Sequence, residues 1–175
     1  MPQLIAPSPT LHASWLAARA EWEALGTQDG AGLHLVPDQG LETAEGFRLW
    51  TETLREQETN PVGGYVPATH RWIVEDGTFL GAIDLRHRLN GFLFDAGGHI
   101  GYSVRPSARG RGFATWALGE MLKEARERGI DHVLITCDED NEASARVAEH
   151  HGAVLEDIRD TVLGRKCRFW IDLAG

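Results

Sequence analysis

The sequence predicts a mixed α/β (α+β) domain, with one mixed, mostly antiparallel sheet flanked by helices. Three observations carry that expectation. Apolar residues recur at helical spacing near the start of the chain, and a period-two hairpin with a tight turn follows. The second half then alternates strand, helix, strand and helix before two closing strands. At 175 residues the chain suits a single domain over 1–175.

Between Ser8 and Gly26, Leu11, Trp15, Ala18, Trp22 and Leu25 fall on one helix face, with Thr10 as N-cap and Gly26 as stop. A second helix over Thr43–Gln57 presents Phe47, Trp50 and Leu54. The segment between these helices, and residues 60–67 after them, read as loops because Gly and Pro interrupt any period. Trp72 and Val74 then alternate with polar neighbours, Asp76-Gly77 supplies a turn, and Phe79, Gly81, Ile83 and Leu85 alternate on the return strand. His87–Gly97 reads as a loop and Gly98–Val104 as a strand. Phe113–Arg128 is a helix burying Ala114, Ala117, Leu118, Met121, Leu122 and Ala125, closed by Gly129. Val133–Cys137 is a short buried strand, and Asn141–His151 a helix ended by Gly152. Strands over Val154–Asp160 and Lys166–Leu173 are joined by a turn containing Gly164. A strand joined through a crossover helix to the next strand calls for a local parallel pair.

Composition narrows the class of protein. Hydrophobic residues make up 42% of the chain and six are Trp, enough apolar surface to argue against disorder. A formal net charge of −9 repels nucleic-acid phosphates and favours cationic partners, although acidity also serves solubility. The opening MPQLIAPSPT has no basic region and no long apolar run, so neither a signal peptide nor a membrane span is expected. Cys137 and Cys167 are expected free and reduced, which fits a cytoplasmic location.

The segment Gly98–Ala114, GHIGYSVRPSARGRGFA, carries the chemistry. A strand runs into a turn at Pro106, then a Gly- and Arg-rich loop, then a helix opening at Phe113. The first-turn N–H groups of a helix lack internal partners and sit at the positive end of its dipole. Gly110 and Gly112 let backbone amides approach an anion, and Arg105, Arg109 and Arg111 add positive charge. This is a phosphate nest. A P-loop would need a Gly-Lys-Ser/Thr ending, which is absent. A dinucleotide fingerprint would need a third Gly where Thr115 stands.

Arg109-Gly110-Arg111-Gly112-Phe113-Ala114 resembles the pyrophosphate motif of the GNAT superfamily of acetyltransferases, in the right strand–loop–helix context. Asn141-Glu142-Ala143-Ser144, opening a helix that ends in His150-His151-Gly152-Ala153, is similar to that family's second cofactor-side motif. The likeness runs from roughly Pro67 to Leu173, is weaker over the N-terminal helices, and is strongest toward bacterial acetyltransferases related to the ribosomal-protein N-acetyltransferases. It implies a GNAT fold with a splayed sheet, acetyl-CoA (coenzyme A) as co-substrate and no metal. The strands ending at Val104 and Cys137 would diverge to admit the pantetheine arm. Tyr102, Ser103 and Val104 would bind that arm through their backbone, with the acyl carbonyl near the Ser103 or Val104 amide. Arg109, Gly110, Arg111, Gly112, Phe113 and Ala114 would hold the pyrophosphate, with Asn141 and Ser144 on the far side of the coenzyme. The implied reaction is acetyl transfer to a small-molecule or peptide amine by direct attack. A non-catalytic acyl-CoA-binding or sensing domain is the alternative. The exposed Trp and closing strands make a homodimer possible.

Amine acylation needs a proton acceptor for the amine and a donor for the departing thiolate. The family's usual Glu base aligns near Gly98, which has no side chain. His99 stands next to it and has a suitable ordinary pKa, with packing as its other reading. The family's usual Tyr acid aligns with Ala148. The ribosomal-protein subgroup instead has Ser at the position of Ser144, and Tyr102 and Cys137 are further candidates. Asp84 and Arg86 could line an acceptor pocket.

Overall fold

The computed structural model describes residues 1–23, 25, 28–35 and 40–175. Strand β1 (Gln3–Ile5) is followed by a 3-10 turn (Pro9–Leu11) and helix α1 (His12–Trp22). The cap here is Ser8 and not Thr10: its side chain accepts the Thr10 N–H, and Pro9 takes the first helical position, where no N–H is needed. The expected stop at Gly26 lies outside the described residues. Helix α2 (Ala44–Glu56) is capped by Thr43, whose hydroxyl accepts the Gly46 N–H at 3.0 Å.

Strands β2 (Ala68–Glu75) and β3 (Thr78–Arg86) form the expected hairpin. Its turn has Asp76 at φ 49° and Gly77 at φ 72°, the left-handed pair that matches the twist of a hairpin. The regular alternation expected on β3 is broken. The register passes from Ile73↔Gly81 to Val74↔Phe79, so Leu80 is one residue too many. That bulge turns Phe79 toward α1 and α2, while Ile83 and Leu85 face the opposite core. Residues 87–97 are also not a simple loop, and the strand expected from Gly98 begins at Ile100. Asn90 accepts the Leu93 N–H at 2.9 Å and heads one π-helical turn over Leu93–Gly97.

Strand β4 (Ile100–Val104), helix α3 (Phe113–Glu127), strand β5 (His132–Asp138), helix α4 (Glu142–His150) and strands β6 (Val154–Thr161) and β7 (Gly164–Asp172) complete the chain. Gly164 already belongs to β7, leaving Val162-Leu163 as the turn. The ladders form two groups, β1-β2-β3-β4 and β5-β7-β6, and every pairing is antiparallel. The single mixed sheet expected from the crossover is therefore split between β4 and β5. The two strands run on as neighbours without a ladder, joined by a backbone bond from His99 N–H to the Leu134 carbonyl at 2.7 Å.

Two cores hold the first sheet in place. On one face α1 and α2 pack Trp15, Phe47, Trp50 and Leu54 against Trp72 and Phe79. On the other, α3 packs Leu118, Met121 and Leu122 against Ile83, Leu85 and Ile100. Four Trp are buried and Trp116 and Trp170 are half-buried, so no exposed Trp is offered to a partner. Burying an aromatic or aliphatic side chain of this size contributes about 1.5–3 kcal/mol. The seam between β4 and β5 is thus flanked by rigid elements.

Candidate active site

Three residues between positions 98 and 101 set how β4 and β5 meet and part. Gly98 sits at φ 67°, and a Cβ there would lie 2.7 Å from the Leu134 carbonyl oxygen, so only glycine allows β5 to come this close. His99 then brackets Leu134. Its backbone N–H donates to the Leu134 carbonyl, and its Nδ1 accepts the Leu134 N–H at 2.9 Å. Beyond it, the Gly101 N–H turns back to the Asp84 carboxylate at 3.0 Å. The imidazole of His99 thus replaces a carbonyl in the place where a parallel ladder would continue.

This geometry commits the Nδ1 of His99 to β5. Its ring is buried, its Nδ1 lone pair is engaged, and it is not in the wall of the cavity beside it. Burial, aided by Arg86, holds its pKa down to about 4.

A cavity of about 600 Å³ opens where the strands part, bounded by Ile100, Gly101 and Tyr102 of β4 and by Thr136 and Cys137 of β5. Here the structure brings together Tyr102 and Ser144, which are far apart in sequence. The Tyr102 hydroxyl donates to the Ser144 carbonyl at 2.9 Å and accepts from the Ser144 hydroxyl at 3.0 Å. Burial pushes the Tyr102 phenol up to about 12, opposed in part by the Ser144 bond, so it stays protonated. Burial likewise pushes the neighbouring Cys137 thiol up to about 11. Ser144 does not cap α4 with its side chain. Asn141 does, its Oδ1 accepting the Ser144 N–H at 3.1 Å, so Asn141 is a helix cap.

The loop before α3 is an open, glycine-lined cradle. Gly110 and Gly112 lie at φ 75° and φ 81°, and a Cβ at either would meet no atom within 4 Å. No side chain caps α3, so its first N–H groups face outward. Phe113 is buried at the helix start and Ala114 is half-buried. Arg109 reaches back to the Val104 carbonyl at 3.2 Å, and Arg111 pairs with Glu75 at 2.9 Å and lies over the Phe113 ring. Arg105, expected beside these two, is instead committed to Glu21 of α1. That guanidinium, with the Ser107 N–H, holds the Glu21 carboxyl down to about 2.

β4 also sorts its own peptide groups. A Cβ on Gly81 would fall 2.2 Å from the Ser103 carbonyl, so the Ser103 peptide faces β3. Tyr102 and Val104, one residue to either side, face the parted edge. Of the two amides expected near the acyl carbonyl, Val104 has the right side.

Several cavity residues escaped the sequence reading. His70 of β2 lies in register with Asp84 of β3, which lies in register with Gly101 of β4. His70 is 4% exposed, its Nδ1 has no partner, and burial holds its pKa down to about 4. Extending the Trp72–Val74 alternation back by one step would have found it. Asp84 lines the cavity as expected, but pairs with Arg86 at 3.2 Å. The exposed rings of Tyr65 and Phe92, with Asp29, complete the outer wall. Among the described residues no group of His, Cys, Asp or Glu could hold a metal ion.

A family model described as an acetyltransferase (GNAT) domain matches residues 8–154. Among solved structures the chain is similar to a ribosomal-protein-S5-alanine acetyltransferase from Vibrio fischeri, with a TM-score of 0.72 at 16% identity, covering 99% of this chain and 92% of that one. It is similar to RimL, a ribosomal L7/L12 alpha-N-protein acetyltransferase in complex with coenzyme A linked to a cysteine of that protein by a disulfide. There the TM-score is 0.71 at 18% identity, covering 98% and 94%. A third is the microcin C7 self-immunity acetyltransferase MccE in complex with acetyl-CoA and AMP, at TM-score 0.68 and 14% identity, covering 98% and 92%. No curated protein matches the chain.

Proposed function

Since the chain belongs to the acetyltransferase (GNAT) family, we propose that it moves an acetyl group from acetyl-CoA onto a primary amine held in the cavity. The observation that carries this reading is the Tyr102–Ser144 pair, set in the gap between β4 and β5 at one end of the glycine cradle's strand. The cradle fits a pyrophosphate, because two left-handed glycines leave room and the α3 amides are uncapped. Gly110, Gly112, Phe113 and Ala114 hold it through the backbone, with Arg109 and Arg111 adding charge. The parted edge of Tyr102 and Val104 fits an extended arm as an added strand. When bound, the thioester supplies an activated carbonyl and a thiolate leaving group.

The chain's own groups then divide the work. The Val104 N–H stabilises negative charge developing on the carbonyl oxygen. The Ser144 hydroxyl turns from Tyr102 to give its proton to the departing sulfur, the Tyr102 O–H turns from the Ser144 carbonyl to replace that proton, and the proton released by the acetylated amine restores Tyr102. His70 and Asp29 offer acceptors to the N–H groups of the amine, in the role first sought from His99. The acceptor is a small-molecule or peptide amine, and the ribosomal-protein specificity of two structural relatives supports testing peptides first. Screening amines, amino acids, polyamines and N-terminal peptides for release of free coenzyme A thiol tests the reading. Acceptor-dependent release is expected from at least one amine class. A well-folded protein that binds acetyl-CoA yet acetylates none of them would leave only a binding domain.

A further inference from the structure

Cys137 and Cys167 are the two cysteines of the chain, and the β5–β7 ladder sets them directly opposite each other. Opposed residues of antiparallel strands have Cα atoms about 4.5–5.5 Å apart, inside the range of about 4.4–6.8 Å that a disulfide spans. Their side chains share one small buried cluster with Phe169. Their access differs. Cys137 lines the cavity with Ser144, whereas Cys167, in one cluster with Phe169, is outside the wall. A reagent in the cavity therefore meets Cys137 first.

We propose that this pair is a thiol–disulfide exchange site whose oxidant is a disulfide of coenzyme A, with Cys137 attacking and Cys167 resolving. The proposal rests on the reading of the cavity as the coenzyme A site. In the first step the Cys137 sulfur gives up its proton and bonds to the coenzyme's sulfur. The old S–S bond breaks, and the displaced thiol leaves with the proton. In the second, the Cys167 sulfur bonds to that of Cys137, the bond to the coenzyme breaks, and coenzyme A leaves as a thiol carrying the Cys167 proton. One dithiol and one disulfide thus become one protein disulfide and two thiols, with two electrons passing to the coenzyme. Burial raises the pKa of both thiols and keeps them protonated, which slows their attack on a dissolved oxidant. A disulfide seated in the cavity is presented at high effective concentration, and the thiolate of a high-pKa thiol is a strong nucleophile.

The test is intact-mass analysis of the reduced protein after incubation with coenzyme A disulfide, alongside an acetyl-CoA thermal shift on the same sample. The wild type should lose two hydrogens and carry no adduct. Cys167→Ser should hold one coenzyme A on Cys137, and Cys137→Ser should stay unmodified. Glutathione disulfide should react at least about tenfold more slowly, lacking the seat. A sample stabilised by acetyl-CoA whose thiols stay reduced overturns the exchange site alone. So does an unmodified Cys167→Ser, or equal rates with the two oxidants. A sample that responds to neither ligand overturns this proposal and the acetyltransferase reading together.

Discussion

Acidification from about pH 7 to about pH 5 should cost this protein a large part of its stability, and two buried histidines set the size of the loss. His70 and His99 each have a pKa near 4 in the folded protein against an ordinary value of 6.5, because burial disfavours the imidazolium. A depressed histidine means that the unfolded chain takes up the proton first. The stabilising contribution is therefore complete above about pH 6.5, shrinks as the pH falls, and is gone below about pH 4. At about pH 5 each histidine has lost about 2 kcal/mol, at 1.36 kcal/mol per unit. Against a typical stability of about 5–15 kcal/mol, the pair alone removes a substantial share. His34 and His87 are also lowered by burial and act in the same direction. Glu21, held near 2, loses its contribution only below its ordinary value of 4.5, outside this window. Urea unfolding followed by Trp fluorescence at fixed ionic strength reads the effect. His99→Gln keeps an acceptor for the Leu134 N–H without titrating, so its slope with pH should be shallower than that of the wild type. A stability that is flat between about pH 7 and about pH 5, or identical slopes for the two proteins, would refute the reasoning.

Ser144→Ala should lower turnover on the order of ten- to a hundredfold while acetyl-CoA affinity and melting temperature hold, because the α4 cap uses Asn141 and the Ser144 backbone. Unchanged turnover would move the proton donor elsewhere. Gly98→Ala should destabilise by about 1–3 kcal/mol in chemical denaturation, from the left-handed φ and the clash with Leu134. Glu21→Gln should cost about 1–2 kcal/mol at neutral pH, discounted for partial exposure, and the gap should close as the pH falls through about 4.5 to 2.

Much of this fold is legible in the sequence where one period dominates. Helix α2, α3 with its Gly129 stop, and the Asp76-Gly77 hairpin all follow local rules. Elements decided by tertiary pairing are not legible. β1 is three residues long and exists only as an edge partner of β2, and the Leu80 bulge leaves no mark in the Phe79–Leu85 pattern. The glycine cradle is visible because a helix N-terminus after Gly-x-Gly is a local device. The Tyr102–Ser144 bond depends on how far β4 departs from β5, which is set by Gly98 and His99. The sequence offers His99 as a base, yet its role as a substitute carbonyl for Leu134 depends on a strand 35 residues away.

Amide hydrogen exchange read by mass spectrometry, with and without acetyl-CoA, tests the central claim most directly, because the proposed ligands are backbone N–H groups. Acetyl-CoA should slow exchange in peptides covering Tyr102–Val104 and Gly110–Ala114 and leave the β2–β3 turn at Asp76-Gly77 unchanged. Saturating acetyl-CoA that protects other segments but neither of these would contradict the account.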